Sequence, residues 1–148
     1  MVIDPQRVTN IIRDTAQLDV LPRFRKLSDD DIMEKAPGDV VTVADYEAEV
    51  RLSKALGALA PAADILAEEA ASRDRLELDD YHSDADTWLI DPVDGTNNFV
   101  KAKDRFCSMV ALLENGVPVR SWIWLPIQRR LYYAAAGEGA MMRIDDGG

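Results

Sequence analysis

The chain has 148 residues, 47% hydrophobic and 30% charged, with 17 basic against 27 acidic side chains and a net charge of −10. That is enough for one domain with a sizeable core. No apolar run is long enough to span a bilayer, residues 1–13 carry too many charges for a secretory signal, and the single cysteine excludes a disulfide framework or a multi-cysteine zinc site. The acidic balance also argues against nucleic acid or an anionic membrane as partner, so a soluble, cytoplasmic protein is expected.

Asp4-Pro5 has the form of a helix start, a capping acceptor followed by proline at the first helical position. Val8, Ile11, Ile12, Thr15 and Leu18 follow as one apolar stripe. Pro22 interrupts the pattern, Ser28-Asp29-Asp30-Asp31 can cap a short second piece, and Pro37-Gly38-Asp39 is a break. Val40-Val41 is extended. A second helix starts between Thr42 and Asp45, buries Ala48, Leu52, Ala55, Leu56 and Leu59, and is closed by Pro61.

Ile65-Leu66-Ala67 is a brief apolar run that delivers Glu68-Glu69. After a polar, irregular stretch, Trp88-Leu89-Ile90 reads as a buried strand that delivers Asp91-Pro92-Val93-Asp94-Gly95-Thr96. A strand over residues 106–113 runs into Asn115-Gly116, a hairpin turn signal. Residues 119–125 alternate and place Trp122 and Trp124 on one face, suited to a sheet face or a subunit contact. A further strand over residues 131–136 precedes Gly137-Glu138-Gly139. Two helices followed by an antiparallel meander predict an α+β fold.

The charge is unevenly spread. Residues 64–98 hold 11 acidic groups against only Arg73 and Arg75. A solvated acidic loop accounts for the part around residues 73–86; the other reading is that some of these carboxylates face one another across a metal ion. Asp91 and Asp94, with the Val93 carbonyl between them, offer the oxygen donors that hard divalent cations take. Gly95 lets the backbone approach a ligand, and the amides of Gly95 and Thr96 can meet an anion if they open a helical turn. Asp-Pro and Asp-Gly are also ordinary turn dipeptides. Likewise, Glu68-Glu69 can be a solvated pair, and Asp45 a first-turn acid that suits the helix dipole.

Taken in order, Gly38-Asp39-Val40-Val41-Thr42-Val43-Ala44-Asp45, Glu68-Glu69, and the run from Trp88 to Val100 resemble the N-terminal motifs of the inositol monophosphatase family. The glycines of Gly116-Val117-Pro118-Val119 and Gly137-Glu138-Gly139-Ala140 agree with it. The resemblance implies the N-terminal domain of a layered αβαβα fold, two helices packed on an antiparallel sheet. It implies a Mg²⁺-dependent, lithium-sensitive phosphomonoesterase acting on a small sugar or inositol phosphate. Glu68, Asp91 and the Val93 carbonyl would hold a first Mg²⁺, and Asp91 and Asp94 a second. Asp45 and Thr96 would position and help deprotonate the attacking water, and the amides of Gly95 and Thr96 would bind phosphate.

Where the family has Gly-Thr-Thr-Asn, this chain reads Gly95-Thr96-Asn97-Asn98, which touches no assigned ligand. Family members continue into a second, α/β half whose Trp-Asp motif completes the second metal site and which holds most substrate contacts; that half is absent from this chain. The 148 residues alone are therefore expected to be weakly active or inactive, and the parent to be a homodimer. Histidinol phosphate, fructose bisphosphate and a nucleotide 3′-phosphate stay open as substrates, and a non-catalytic metal- or phosphate-binding module is the alternative class. His82 is expected at the surface, Cys107 in the core rather than as a nucleophile. Lys101, Lys103 and Arg105 read as a solvated loop or as attraction for an anionic substrate.

Overall fold

The computed structural model describes residues 2–74 and 83–146. Helix α1 (Pro5–Thr15) begins as its capping signal dictates: the Asp4 carboxylate accepts a hydrogen bond from the Gln6 amide at 2.9 Å. Val8, Ile12 and Thr15 are buried, but Leu18, expected on the same stripe, is 56% exposed. The cause is a π-helical turn at Ala16–Val20, which winds more residues per turn than an α-helix and rotates the face that follows. Ala16, Asp19 and Val20 turn inward instead, and the buried Asp19 carboxylate meets the Arg51 guanidinium at 2.6 Å.

Ser28 and Asp31 form a reciprocal capping box on a single 3₁₀ turn, Asp29–Asp31. The next residues are not helical: β1 (Ile32–Ala36) and β2 (Asp39–Thr42) make an antiparallel hairpin around Gly38, whose φ is +79°. Helix α2 (Val43–Leu59) follows, with Ala48, Leu52 and Leu56 fully buried and Ala55 and Leu59 half-buried.

The remaining strands form one six-stranded sheet in sequential order. They are β3 (Asp64–Ala67), β4 (Thr87–Asp94), β5 (Cys107–Glu114), β6 (Val117–Leu125), β7 (Arg130–Ala135) and β8 (Gly139–Ile144). The meander from β4 to β8 is antiparallel, while β3 runs parallel to β4. A short helix, α3 (Glu68–Arg73), leads away from β3. Asn115 (φ +51°) and Gly116 (φ +75°) form the two-residue β5–β6 turn, both left-handed as a type I′ hairpin requires. Strand β8, absent from the sequence prediction, is exposed along its whole length, so no burial pattern marks it.

One face of the sheet packs under α1 and α2 through Trp88, Ile90, Val110, Leu112, Trp122 and Trp124 against Val8, Ile12, Leu52 and Leu56. Trp122 and Trp124 therefore serve as sheet core, and the Trp122 indole donates to the Pro5 carbonyl at the start of α1 (3.3 Å). A second, smaller cluster joins Val20, Ala44, Ala48 and Val93 to Phe99 and Phe106, with Phe24 against both rings. Replacing Trp122 with alanine removes the centre of the first cluster and a buried donor; urea unfolding should show a loss of about 3–5 kcal/mol.

Candidate metal and phosphate site

The parallel pairing of β3 and β4 builds the site. Ala67, the last residue of β3, lies beside Ile90, so the next residues, Glu68 and Asp91, are carried side by side. β4 then loses its register with β5 between Asp91 and Asp94, where Pro92 has no amide to give the ladder. The Pro92 carbonyl is held by the Ser108 hydroxyl at 2.8 Å. Gly95 (φ +86°, ψ +35°) turns the chain into α4 (Thr96–Val100), and Phe99 anchors that helix in the aromatic cluster.

Helix α2 supplies the other wall. The Thr42 amide and hydroxyl both donate to Asp45 Oδ2 (2.9 and 2.6 Å), which closes the capping box. Asp45 Oδ1 lies 3.0 Å from the Thr96 hydroxyl, which is also 3.0 Å from the Val93 carbonyl. Asp45 is thus wholly buried yet hydrogen-bonded on both oxygens; burial still pushes its carboxyl above the usual range.

Glu68 and Glu69 part company here. Glu69 is 3% exposed and paired with Lys35 of β1 at 3.0 Å, whereas Glu68 is exposed; both line a cavity of about 230 Å³ with Lys35, Asp91, Asp94, Thr96 and Asn98. Burial, the facing Glu68 carboxyl and the charges of Asp94 and Asp45 push Asp91 up to about 8. Burial pushes Glu69 up to about 6, with Lys35 opposing. Asp91 Oδ1 is buried and has no hydrogen-bond partner.

An orphaned carboxylate oxygen beside other carboxylates, with a backbone carbonyl nearby, fits a hard cation that takes oxygen ligands and completes its shell with water. The fit is to an open set: among the described residues, no three acidic, histidine or cysteine side chains close around one point.

Cys107 begins β5 half-buried, its sulfur 3.8 Å from Asp94 Oδ2. Burial and that carboxylate push the thiol up to about 12, so it stays protonated. Lys101, Lys103 and Arg105 are exposed. His82, and residues 75–82 of the acidic stretch generally, lie outside the described residues.

Without a divalent cation, raising the pH should destabilise the fold. Asp91, Asp45, Glu49 and Glu69 all hold their protons more tightly folded than unfolded. Between the unfolded Asp value of 3.8 and about 8, the native state therefore binds more protons, and stability falls as pH rises. Thermal unfolding in EDTA across pH 4–8 checks the slope; Mg²⁺, which needs the ionised carboxylates, should oppose it increasingly as the pH rises.

The inositol monophosphatase family profile matches residues 4–145. The chain belongs to that family. Among curated family relatives, it is 34% identical over 105 residues to a histidinol-phosphatase of Mycobacterium tuberculosis, covering 71% of this chain and 38% of that protein. It is 33% identical over 110 residues to the 3′(2′),5′-bisphosphate nucleotidase CysQ of Shigella flexneri, covering 73% and 42%. In structure it matches the Thermotoga maritima IMPase with a TM-score of 0.77 at 26% identity, over 99% of this chain and 52% of that one. It also matches an IMPase/NADP phosphatase complexed with Mg²⁺ and phosphate (TM-score 0.71, 26% identity, 93% and 51% covered). The chain spans about half the length of these solved structures. Its α+β architecture, helices on an antiparallel sheet, is that of the family's structures, with the parallel β3–β4 pair at one edge. No helix among the described residues is long and apolar enough to cross a membrane.

Two residues of the site escaped the sequence reading. Lys35 sits in the unpredicted β1. Glu49 follows Asp45 at helical spacing on the buried face of α2; a second carboxylate on an apolar stripe needs a partner, and that was the available signal.

Proposed function

We propose that residues 1–148 form the metal- and phosphate-binding α+β domain of a Mg²⁺-dependent phosphomonoesterase, completed in its parent by a C-terminal α/β domain. The observation that carries this reading is the Glu68–Asp91 pair, with its orphaned oxygen, set beside the Asp45–Thr96 hydrogen bond. Glu68, Asp91, Asp94 and the Val93 carbonyl are the groups that would hold Mg²⁺. When bound, the ion neutralises charge on the phosphoryl oxygens and acidifies the attacking water. The protein in its turn moves the proton. Thr96 donates its hydroxyl proton to Asp45 Oδ1 and can thereby accept one from water; burial makes Asp45 the stronger acceptor. Gly95 turns the chain so that the first amides of α4, unpaired within the helix, can receive the phosphate.

The substrate class is a small sugar or inositol phosphate. The proposal extends to lithium inhibition, a homodimeric parent and a cytoplasmic site of action. The test is phosphate release by the protein as its cell makes it, from inositol 1-phosphate, histidinol phosphate, fructose bisphosphate and a nucleotide 3′-phosphate, with Mg²⁺ and with EDTA. Mg²⁺-dependent turnover of one of them is expected. Mg²⁺ binding without turnover of any would replace the enzyme reading with a binding module.

A further inference from the structure

The N-terminus of α3 is capped from another helix. Its own N-cap position is Ala67, which has no side chain able to cap. In its place Glu49 of α2, 6% exposed, reaches across: one carboxylate oxygen accepts the Glu69 amide at 2.7 Å, the other the Ala70 amide at 2.9 Å. These are the second and third residues of the helix, the amides a local cap would serve. At six residues α3 is too short to stand by its own propensity. Its first residue is Glu68, which faces Asp91. The same face of α2 carries Asp45 one turn earlier, so a single helix orients both the Thr96 hydroxyl and the start of α3.

We propose that Glu49 is a positioning residue for the cation site: by capping α3 it sets where Glu68 meets Asp91, without itself touching the ion. This rests on the reading of Glu68 and Asp91 as cation ligands. Outer-shell groups of this kind typically change metal affinity by roughly 10- to 100-fold when removed. Glu49→Ala should therefore weaken Mg²⁺ binding, measured by calorimetry on the protein as its cell makes it, by about that factor, and should speed hydrogen exchange at the Glu69 and Ala70 amides.

Two further variants separate position from charge and from general stability. Glu49→Asp keeps the charge but falls one methylene short of the two amides. It should lose affinity as well, and it serves if the alanine variant does not fold. Leu52→Ala, one turn along the same helix and packed in the core rather than bonded to the α3 amides, should lower the melting temperature while leaving Mg²⁺ affinity within about threefold. Glu49→Asp binding like the wild type, or Leu52→Ala weakening the ion as much as Glu49→Ala, overturns the positioning role alone. If the wild-type protein as its cell makes it binds no Mg²⁺, the cation reading falls and takes this role with it.

Discussion

Asp91→Asn should make the protein more stable and inactive at once. In EDTA at pH 8 its melting temperature should rise by several degrees, at about 2–4 °C per kcal/mol for a chain of this size. If the proposed function holds, Mg²⁺-dependent phosphate release should fall by about three orders of magnitude or more, since a lost cation contact is worth several kcal/mol and each 1.36 kcal/mol is tenfold in rate. Both effects come from one group. The Asp91 carboxyl is part-buried, faces Glu68, and has one oxygen with no hydrogen-bond donor. Asparagine removes the charge and gives Glu68 a donor. The stability gain should shrink as the pH falls toward 4, because the wild-type side chain then keeps its proton in the fold, and the unfolded one, with a value of 3.8, gives up its proton only in part. Differential scanning fluorimetry at pH 4, 6 and 8 reads the first effect and phosphate release the second. A variant that is destabilised at pH 8 would contradict the burial argument; one that keeps its turnover would remove Asp91 from the metal set.

The second large effect is expected at Gly95. A methyl group there would sit 2.9 Å from the Arg105 carbonyl oxygen and 3.3 Å from Phe106 Cα, both backbone atoms that cannot rotate away, on a residue whose φ is +86°. The left-handed conformation alone costs about 1–2 kcal/mol for an L-residue, and the clash adds to it. The strain relaxes by shifting the turn that holds Thr96 against Asp45, and a displacement near 1 Å can cost about 100-fold in rate. Gly116→Ala is the control: its φ is +75°, but a Cβ there meets nothing within 4 Å. It should show the conformational penalty without the loss of turnover. Gly95→Ala with activity within threefold of wild type would show that the turn tolerates movement.

Much of the fold was legible because local signals agreed with tertiary demand. Asp4-Pro5 and Thr42 cap helices where the sequence places them, Asn115-Gly116 makes its hairpin, and Trp88-Leu89-Ile90 is a central strand. The departures from the expected pattern have local causes too. Periodicity carries the stripe of α1 on to Leu18 because it assumes a constant 3.6 residues per turn, and a π turn breaks that count. The strands β1 and β8 were missed because they form edges with little buried surface to pattern them.

The site divides in the same way. Sequence by itself determined the composition of the turn from Asp91 to Thr96, its proline and glycine, the pairing of Asp45 with the start of α2, and membership of the family through three motifs in order. These depend on residue type and short spacing. The resemblance already names Glu68 of the two adjacent glutamates; what holds the pair in their different environments was decided only by the tertiary structure. Lys35 and Glu49, remote in sequence, draw Glu69 and its amide inward, and the parallel register of β3 with β4 leaves Glu68 beside Asp91. Pairing partners and desolvation are properties of the packed chain, and both lie beyond what any window of sequence contains.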